Sequence, residues 1–239
     1  MAMTRLHQTD SAIDTSALSE RLAVVRSRIA ATGRNADDIV VVAVTKGFGA
    51  AAVEAAAAVG IENVGENYAQ ELADKREAIR GDSLRWHFLG HVQRNKVRSI
   101  AAAVHLWQGV DRVSAGEEIA RRAPGARVLV QVRIDGLDAN DGVPARNGCA
   151  PHEVPALVER LDGLGLDVRG LMAVGPPGPP ELARPGFREV SALADRLGLV
   201  ERSMGMTDDL GVAIEEGSTM VRVGRGLFGA RPVAPKMRR

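Results

Sequence analysis

The stretch IVVVAVTKGFG, residues 39–49, contains the pattern of a buried strand that ends in a lysine. Its first six residues are apolar and mostly β-branched, as in a parallel strand buried on both faces. Thr45 and Lys46 follow where the strand should end, and Gly47 and Gly49 come directly after them. A lysine at such a strand end is either a partly desolvated, nucleophilic amine or an ordinary side chain that reaches solvent or a carboxylate. The position alone favours the ordinary side chain.

This strand pattern recurs along the chain, and helix-like stretches separate the repeats. Strands are predicted at 39–45, 61–65, 85–89, 104–110, 127–134, 168–174, 201–206 and 220–228. Helices are predicted at 16–31, 50–59, 68–80, 92–103, 114–123, 151–163, 186–197 and 208–216. Strands that alternate with helices pair in parallel, and eight such units in roughly 200–250 residues match the size of a (β/α)8 barrel.

The predicted fold class is therefore α/β, a single (β/α)8 TIM-type barrel with an extra N-terminal helix. A doubly wound open sheet is the alternative, because the second and seventh strands are weakly defined. No linker or change in composition divides the chain, so one domain is expected over residues 1–239. Its core is expected at about 39–231, with flexible tails at 1–15 and 232–239.

Composition and charge argue against several classes of function. The chain has 31 Lys+Arg and 30 Asp+Glu, so its net charge of +1 favours neither nucleic acid nor an anionic membrane as the main partner. No apolar run approaches membrane-spanning length, and the N-terminus lacks the apolar region of a secretory signal. The lone Cys149 rules out a disulfide within the chain. We expect a cytoplasmic protein that is a monomer or a weak dimer.

Glycine-containing turns after the last two strands are typical of a phosphate site. SMGMTDD at 203–209 and VRVGRG at 221–226 follow strands 7 and 8, whose loops often bind phosphate in barrels. Backbone N–H groups around Gly224 and Arg225 can face an anion, although the same residues also suit plain tight turns. A phosphate site opposite Lys46 suits a phosphorylated aldehyde, and pyridoxal 5′-phosphate (PLP) is the commonest such cofactor. A Schiff-base aldolase remains equally compatible with these residues.

Polar residues near strands 2 and 3 offer further candidates. Asn67 follows strand 2 and is either a ligand contact or the N-cap of the next helix. Glu66 and Glu71 are predicted to be solvated charges on a helix face. His87 and His91 are four residues apart but straddle a strand end, so they lack the helical spacing of two zinc ligands. No metal site is predicted.

Six motifs, in a fixed order, resemble those of the pyridoxal phosphate homeostasis proteins. They are VAVTKGF (42–48), GENYAQE (65–71), WHFLGHVQRNK (86–96), GLMAV (170–174), SMGMTDD (203–209) and STMVRVGRGLFGAR (218–231). The resemblance extends from about Ile39 to Arg231 and implies a barrel like the N-terminal domain of bacterial alanine racemase. It also implies a PLP-binding protein that contributes to intracellular vitamin B6 homeostasis without strong turnover.

The resemblance implies roles for particular residues. Lys46 would form the internal aldimine with PLP, and Asn67 would line the cofactor from strand 2. Ser203 would bind the phosphate, together with the backbone of Gly224 and Arg225. Arg225 stands where a small Thr or Ser is usual in the family, so the part of its side chain stays open.

Arg222 would face the pyridine nitrogen of the cofactor. A guanidinium group only donates hydrogen bonds, so it would keep this nitrogen unprotonated and the ring a poor electron sink. Alanine racemase also needs a tyrosine from a second domain, whereas the only tyrosine here, Tyr68, lies beside Asn67. The resemblance therefore implies a PLP carrier, with apo-enzymes that accept PLP as further partners. A weak PLP-dependent amino-acid racemase or a related enzyme is the alternative.

Overall fold

The computed structural model describes residues 13–79, 83–134 and 147–230. In these ranges eight parallel strands pair in sequence order, and β8 returns to pair with β1, so the sheet is a closed barrel. The strands are β1 Val40–Val44, β2 Asn63–Glu66, β3 Arg85–Phe88, β4 Val104–Val110, β5 Arg127–Val132, β6 Asp167–Ala173, β7 Glu201–Ser203 and β8 Met220–Val223. The predicted (β/α)8 barrel is confirmed, and the open sheet is wrong.

Helices cover the outside of the barrel. They are α1 Thr15–Ala30, α2 Ala50–Ala58, α3 Ala69–Ala78, α4 Arg94–Ile100, α5 Val113–Arg122, α6 Val154–Gly163, α7 Arg184–Arg196, α8 Leu210–Glu215 and α9 Arg225–Phe228. Short 3₁₀ turns lie at Ala36–Asp38, Pro151–Glu153 and Pro180–Ala183. None of the helices in the described ranges combines the length and the apolar character of a membrane span.

Helix α1 is the predicted extra N-terminal helix. It buries one face, whose residues recur at helical spacing: Leu18, Leu22, Val25 and Ile29. The Asp14 carboxylate caps its N-terminus by accepting the N–H of Ser16 at 2.9 Å. The helix thus begins at Thr15, the last residue of the predicted tail 1–15. Residues 1–12 of that tail, and the whole tail 232–239, lie outside the described residues.

The last two strands are shorter than the sequence predicts. Strand β7 ends at Ser203, and Gly205 soon after it has a φ of +90°. Strand β8 ends at Val223, whereas the prediction extended it to Phe228. The N–H groups of Leu227 and Phe228 bond back to the Gly224 carbonyl and form the turn of α9. Both strands therefore end just below the turns that were predicted to bind phosphate.

The apolar core has two parts. The larger part lies between the strands and the surrounding helices. A smaller cluster has contributions from five strands, as in the layered interior of a TIM barrel: Val42, Leu106, Leu129, Met172 and Met220. Buried polar residues on β3, β4, β7 and β8 share the interior with this cluster: His87, Gln108, Ser203 and Arg222. The barrel interior is thus partly polar near the carboxyl ends of its strands.

Candidate functional site

The carboxyl ends of the strands surround a cavity of about 780 Å³. This volume lies within the usual range for a small-molecule or cofactor site, and this end of the barrel is where TIM-barrel enzymes carry their active sites. Five of the residues predicted from the sequence line it together: Lys46, Asn67, Arg222, Gly224 and Arg225. Residues at the ends of β1, β2 and β8 thus meet at one cavity, which the turn after β7 also lines through Thr207 and Asp208.

Arg222 extends from β8 through the interior to the cavity wall. Its Nη1 donates to the Ser203 carbonyl and to Ser203 Oγ, both at 2.6 Å, and its Nη2 donates to the Ala173 carbonyl at 2.7 Å. Two of its five N–H groups have no acceptor among the described residues. Burial lowers the pKa of Arg222 to about 10, which still leaves it charged at neutral pH. Arg222 therefore carries a fixed positive charge with donors to spare.

Ser203, the sixth predicted residue, lies under Arg222 and is fully buried. Its hydroxyl accepts from Arg222 and donates to Gln108 Oε1 at 2.7 Å. Gln108 Nε2 lies 2.7 Å from His87 Nδ1, and His87 Nε2 lies 3.0 Å from Asn63 Oδ1. These side chains form a polar column from Arg222 into the barrel. Ser203 is not among the residues that line the cavity, so this geometry gives no support to a direct phosphate contact.

Asn67 is placed as a ligand contact would be, and not as a helix cap. Tyr68 is the N-cap residue of α3, and its side chain makes no capping hydrogen bond. The Asn67 Oδ1 atom is buried and has no hydrogen-bond partner in the part of the chain that the structure describes. Gly90 packs against the Asn67 backbone, where a Cβ at Gly90 would lie 2.0 Å from the Asn67 carbonyl oxygen. The N-cap interpretation of Asn67 is therefore wrong.

The two turns after β7 and β8 are joined to each other. Gly226 N–H donates to Thr207 Oγ1 at 3.1 Å, and a Cβ at Gly226 would lie 2.9 Å from Val223 Cγ1. The Arg225 guanidinium pairs with the Asp208 carboxylate. The Arg225 side chain thus has a protein partner on the neighbouring turn.

Glu66 is a residue whose place was predicted wrongly. It ends β2, is fully buried, and its Oε1 lies 2.5 Å from Lys75 Nζ on α3. Burial raises the pKa of Glu66, while the Lys75 ammonium and the Thr45 hydroxyl act in the opposite direction. A predicted strand one residue longer than 61–65 would have placed the Glu66 carboxylate in the core. A buried carboxylate requires a cation as its partner.

His91 also lines the cavity, in the loop after β3. Its Nδ1 lies 3.4 Å from Asp111 Oδ2, and Arg112 donates to Asp111 Oδ1 at 2.6 Å. Residues 13–79, 83–134 and 147–230 contain no group of three or more His, Cys, Asp or Glu residues that could hold a metal ion. The polar side chains that line the cavity include the amine of Lys46, the amide of Asn67, the guanidinium of Arg222 and the imidazole of His91.

Comparisons with known proteins show the family of this chain. Residues 13–232 match the family described as alanine racemase, N-terminal domain. The chain is 38% identical over 229 residues to the pyridoxal phosphate homeostasis protein of Pseudomonas aeruginosa, covering 90% of this chain and 96% of that protein. It is 37% identical over 208 residues to the protein of the same name from Deinococcus radiodurans, covering 87% of this chain and 97% of that protein.

A solved structure extends the likeness to three dimensions. PipY of Synechococcus elongatus PCC7942, with PLP bound, matches with a TM-score of 0.74 at 30% identity. The match covers 89% of this chain and all of that one. The resemblance that the six sequence motifs indicate is confirmed, and this chain belongs to the pyridoxal phosphate homeostasis protein family.

Proposed function

We propose that this protein binds PLP in the cavity at the carboxyl ends of its strands and contributes to PLP homeostasis. One observation carries the proposal: Lys46, Arg222 and the turn at Gly224 and Arg225 line the same cavity. An amine, a guanidinium and a glycine-containing turn are the groups that an aldehyde, a pyridine nitrogen and a phosphate require. The relative with PLP bound supports the same ligand.

The donor set of the cavity fits this cofactor. In the proposal Lys46 would hold the aldehyde carbon, and the backbone of Gly224 and Arg225 would face the phosphate. The buried and unpartnered Asn67 Oδ1 supplies an acceptor for a ring substituent. When bound, PLP would supply an electron sink and an exchangeable aldehyde.

Arg222 determines how strong that electron sink is. Facing the pyridine nitrogen, its unused N–H groups would donate to that nitrogen and could not accept from it, so the nitrogen would stay unprotonated. We propose that Ser203 serves the cofactor through Arg222, whose guanidinium it holds by two bonds of 2.6 Å, and not as a phosphate ligand. The site is built to retain PLP more than to stabilise a carbanion.

A spectral experiment tests the proposal. The protein is mixed with PLP, its visible absorption band is recorded, and the band is then treated with borohydride. We expect a band that borohydride abolishes and a PLP label on Lys46 in peptide mass analysis. Lys46→Ala should lose the band, whereas Lys96→Ala, on the exposed side of α4, should keep it. A band that persists in Lys46→Ala would contradict the proposal.

The same protein distinguishes a carrier from an enzyme. Incubating PLP-loaded protein with L-alanine should give D-alanine no faster than free PLP does, because the ring nitrogen is unprotonated. Turnover far above that level would favour the alternative, a weak amino-acid racemase. We also propose that the protein acts in the cytoplasm, as a monomer or weak dimer, and passes PLP to apo-enzymes.

A further inference from the structure

The backbone on both sides of Lys46 is held by charged side chains of helix α3. Lys75 Nζ donates to the Thr45 carbonyl at 2.8 Å, just before Lys46. Glu71 Oε2 accepts the Gly47 N–H at 2.8 Å, just after it. Two bonds from one helix thus fix the two residues that flank the lysine.

These groups belong to one cluster, which we define as Glu66, Glu71 and Lys75. Lys75 Nζ lies 2.5 Å from Glu66 Oε1 and 3.4 Å from Glu71 Oε2. Thr45 Oγ1 donates to the same Glu66 oxygen at 2.5 Å. The side chains of Lys75 and Glu66 are 4% and 0% exposed, and that of Glu71 is 19% exposed. The cluster is therefore a largely buried group of two carboxylates and one ammonium.

Stability alone is a poor reason for such a cluster. The desolvation of buried charges offsets most of their mutual attraction, and well-packed apolar residues often serve a fold as well. Apolar residues could not make the two hydrogen bonds to the Thr45 carbonyl and the Gly47 N–H. Gly47 adopts a φ of +77°, so the chain turns sharply between the lysine and the Glu71 contact.

We propose that the cluster is a positioning device for Lys46. By fixing the backbone on both sides, it directs the lysine amine to the place where an aldehyde carbon must lie for an imine to form. In that step the carbon–nitrogen double bond replaces the carbon–oxygen double bond, and the aldehyde oxygen leaves as water with the two amine protons. Small displacements of a reacting group slow such a step strongly. The inference rests on the proposed function, and it assigns the cluster to covalent capture and not to recognition of the ring or the phosphate.

The test compares two ligands of the full-length chain. PLP can form an imine with Lys46, whereas pyridoxamine 5′-phosphate has the same ring and phosphate but no aldehyde. For Glu71→Ala we expect the Kd for PLP to rise about tenfold, the effect of losing one hydrogen bond to a charged group. The rate at which the imine band appears should fall as well. The Kd for pyridoxamine 5′-phosphate should change less than about twofold.

Two further variants sharpen the test. Glu71→Gln keeps an oxygen that can accept the Gly47 N–H, so it should restore most of the PLP affinity. Glu118→Ala is the matched control, since Glu118 is a buried carboxylate that holds Arg121 and Arg122 on α5 and does not line the cavity. It should change neither affinity.

The outcomes separate the two proposals. Equal losses for both ligands in Glu71→Ala would show that the cluster supports the whole cavity, and this would overturn the positioning role. Unchanged PLP affinity and unchanged capture rate would overturn it too. A wild-type protein that binds pyridoxamine 5′-phosphate but forms no imine band with PLP would overturn both the positioning role and the proposed function.

Discussion

The backbone conformation at Gly47, directly after the lysine, favours glycine over every other amino acid. Its φ of +77° lies in the left-handed region, which costs other residues about 1–2 kcal/mol. Gly49 has a φ of −78° and a ψ of −175°, which any residue adopts. We expect Gly47→Ala to lower the free energy of unfolding by about 1–2 kcal/mol in urea denaturation. Gly49→Ala should lower it much less, and equal losses in both variants would rule out backbone strain as the cause.

Single side chains also mark the limit of sequence-based prediction. Lys46, Asn67 and Arg222 line one cavity as predicted, because a residue at a strand end in a parallel barrel faces that end. Ser203 ends a strand of only three residues, and its hydroxyl points to Gln108 and Arg222. Its hydroxyl partners come from β4 and β8, and nothing in the local sequence of strand 7 reveals them. The roles of these residues toward the cofactor stay predictions.

At the scale of elements, helix α1 connects to both turns of the proposed phosphate site. Arg28 Nη1 donates to the Thr207 carbonyl at 2.6 Å, and Arg21 Nη1 donates to the Leu227 carbonyl at 3.1 Å. We expect Arg28→Ala to raise the Kd for PLP about threefold to tenfold, since one hydrogen bond contributes about 0.5–1.5 kcal/mol. A spectral titration with PLP measures this change.

The control for this prediction lies on the same helix. Arg26 is exposed, and its Nη1 lies 4.0 Å from Asp37 Oδ1, a weak surface pair, so Arg26→Ala should leave the Kd unchanged. Pyridoxal, which has no phosphate, should bind wild type and Arg28→Ala equally well. If pyridoxal binding weakens as much as PLP binding, α1 does not act through the phosphate turns.

The order of elements could be predicted from the sequence, but some of their boundaries could not. The apolar residues after Gly224 look like a continued strand, yet the N–H groups of Leu227 and Phe228 fold back onto its carbonyl. Helix α9 has only four residues, too few to show the helical repeat of apolar positions. Glu66 was predicted wrongly for the same kind of reason, because the predicted strand 61–65 stops one residue short of it, whereas β2 ends at Glu66.

At the scale of the whole molecule, the polar column in the barrel interior depends on one protonation state. Gln108 Oε1 accepts from Ser203, so its amide nitrogen must donate to His87 Nδ1. His87 must then carry its single proton on Nε2, which donates to Asn63 Oδ1. A second proton on Nδ1 would face the Gln108 amide N–H groups. The folded barrel therefore excludes a charged His87, and burial, followed by the charges of His105 and Arg85, lowers the pKa of His87 to about 3.

This depressed pKa makes the stability of the barrel depend on pH. Between the ordinary histidine pKa of about 6.5 and the folded value of about 3, the unfolded chain binds a proton at His87 that the folded protein does not. The free energy of unfolding should therefore fall as the pH drops, by up to about 1.4 kcal/mol per pH unit from this residue. His87→Gln keeps a donor and an acceptor but does not titrate. Urea denaturation at about pH 6, 5 and 4 should show wild type losing stability relative to His87→Gln at that rate. A difference between the two proteins that stays constant with pH would mean that His87 is not held neutral by the fold.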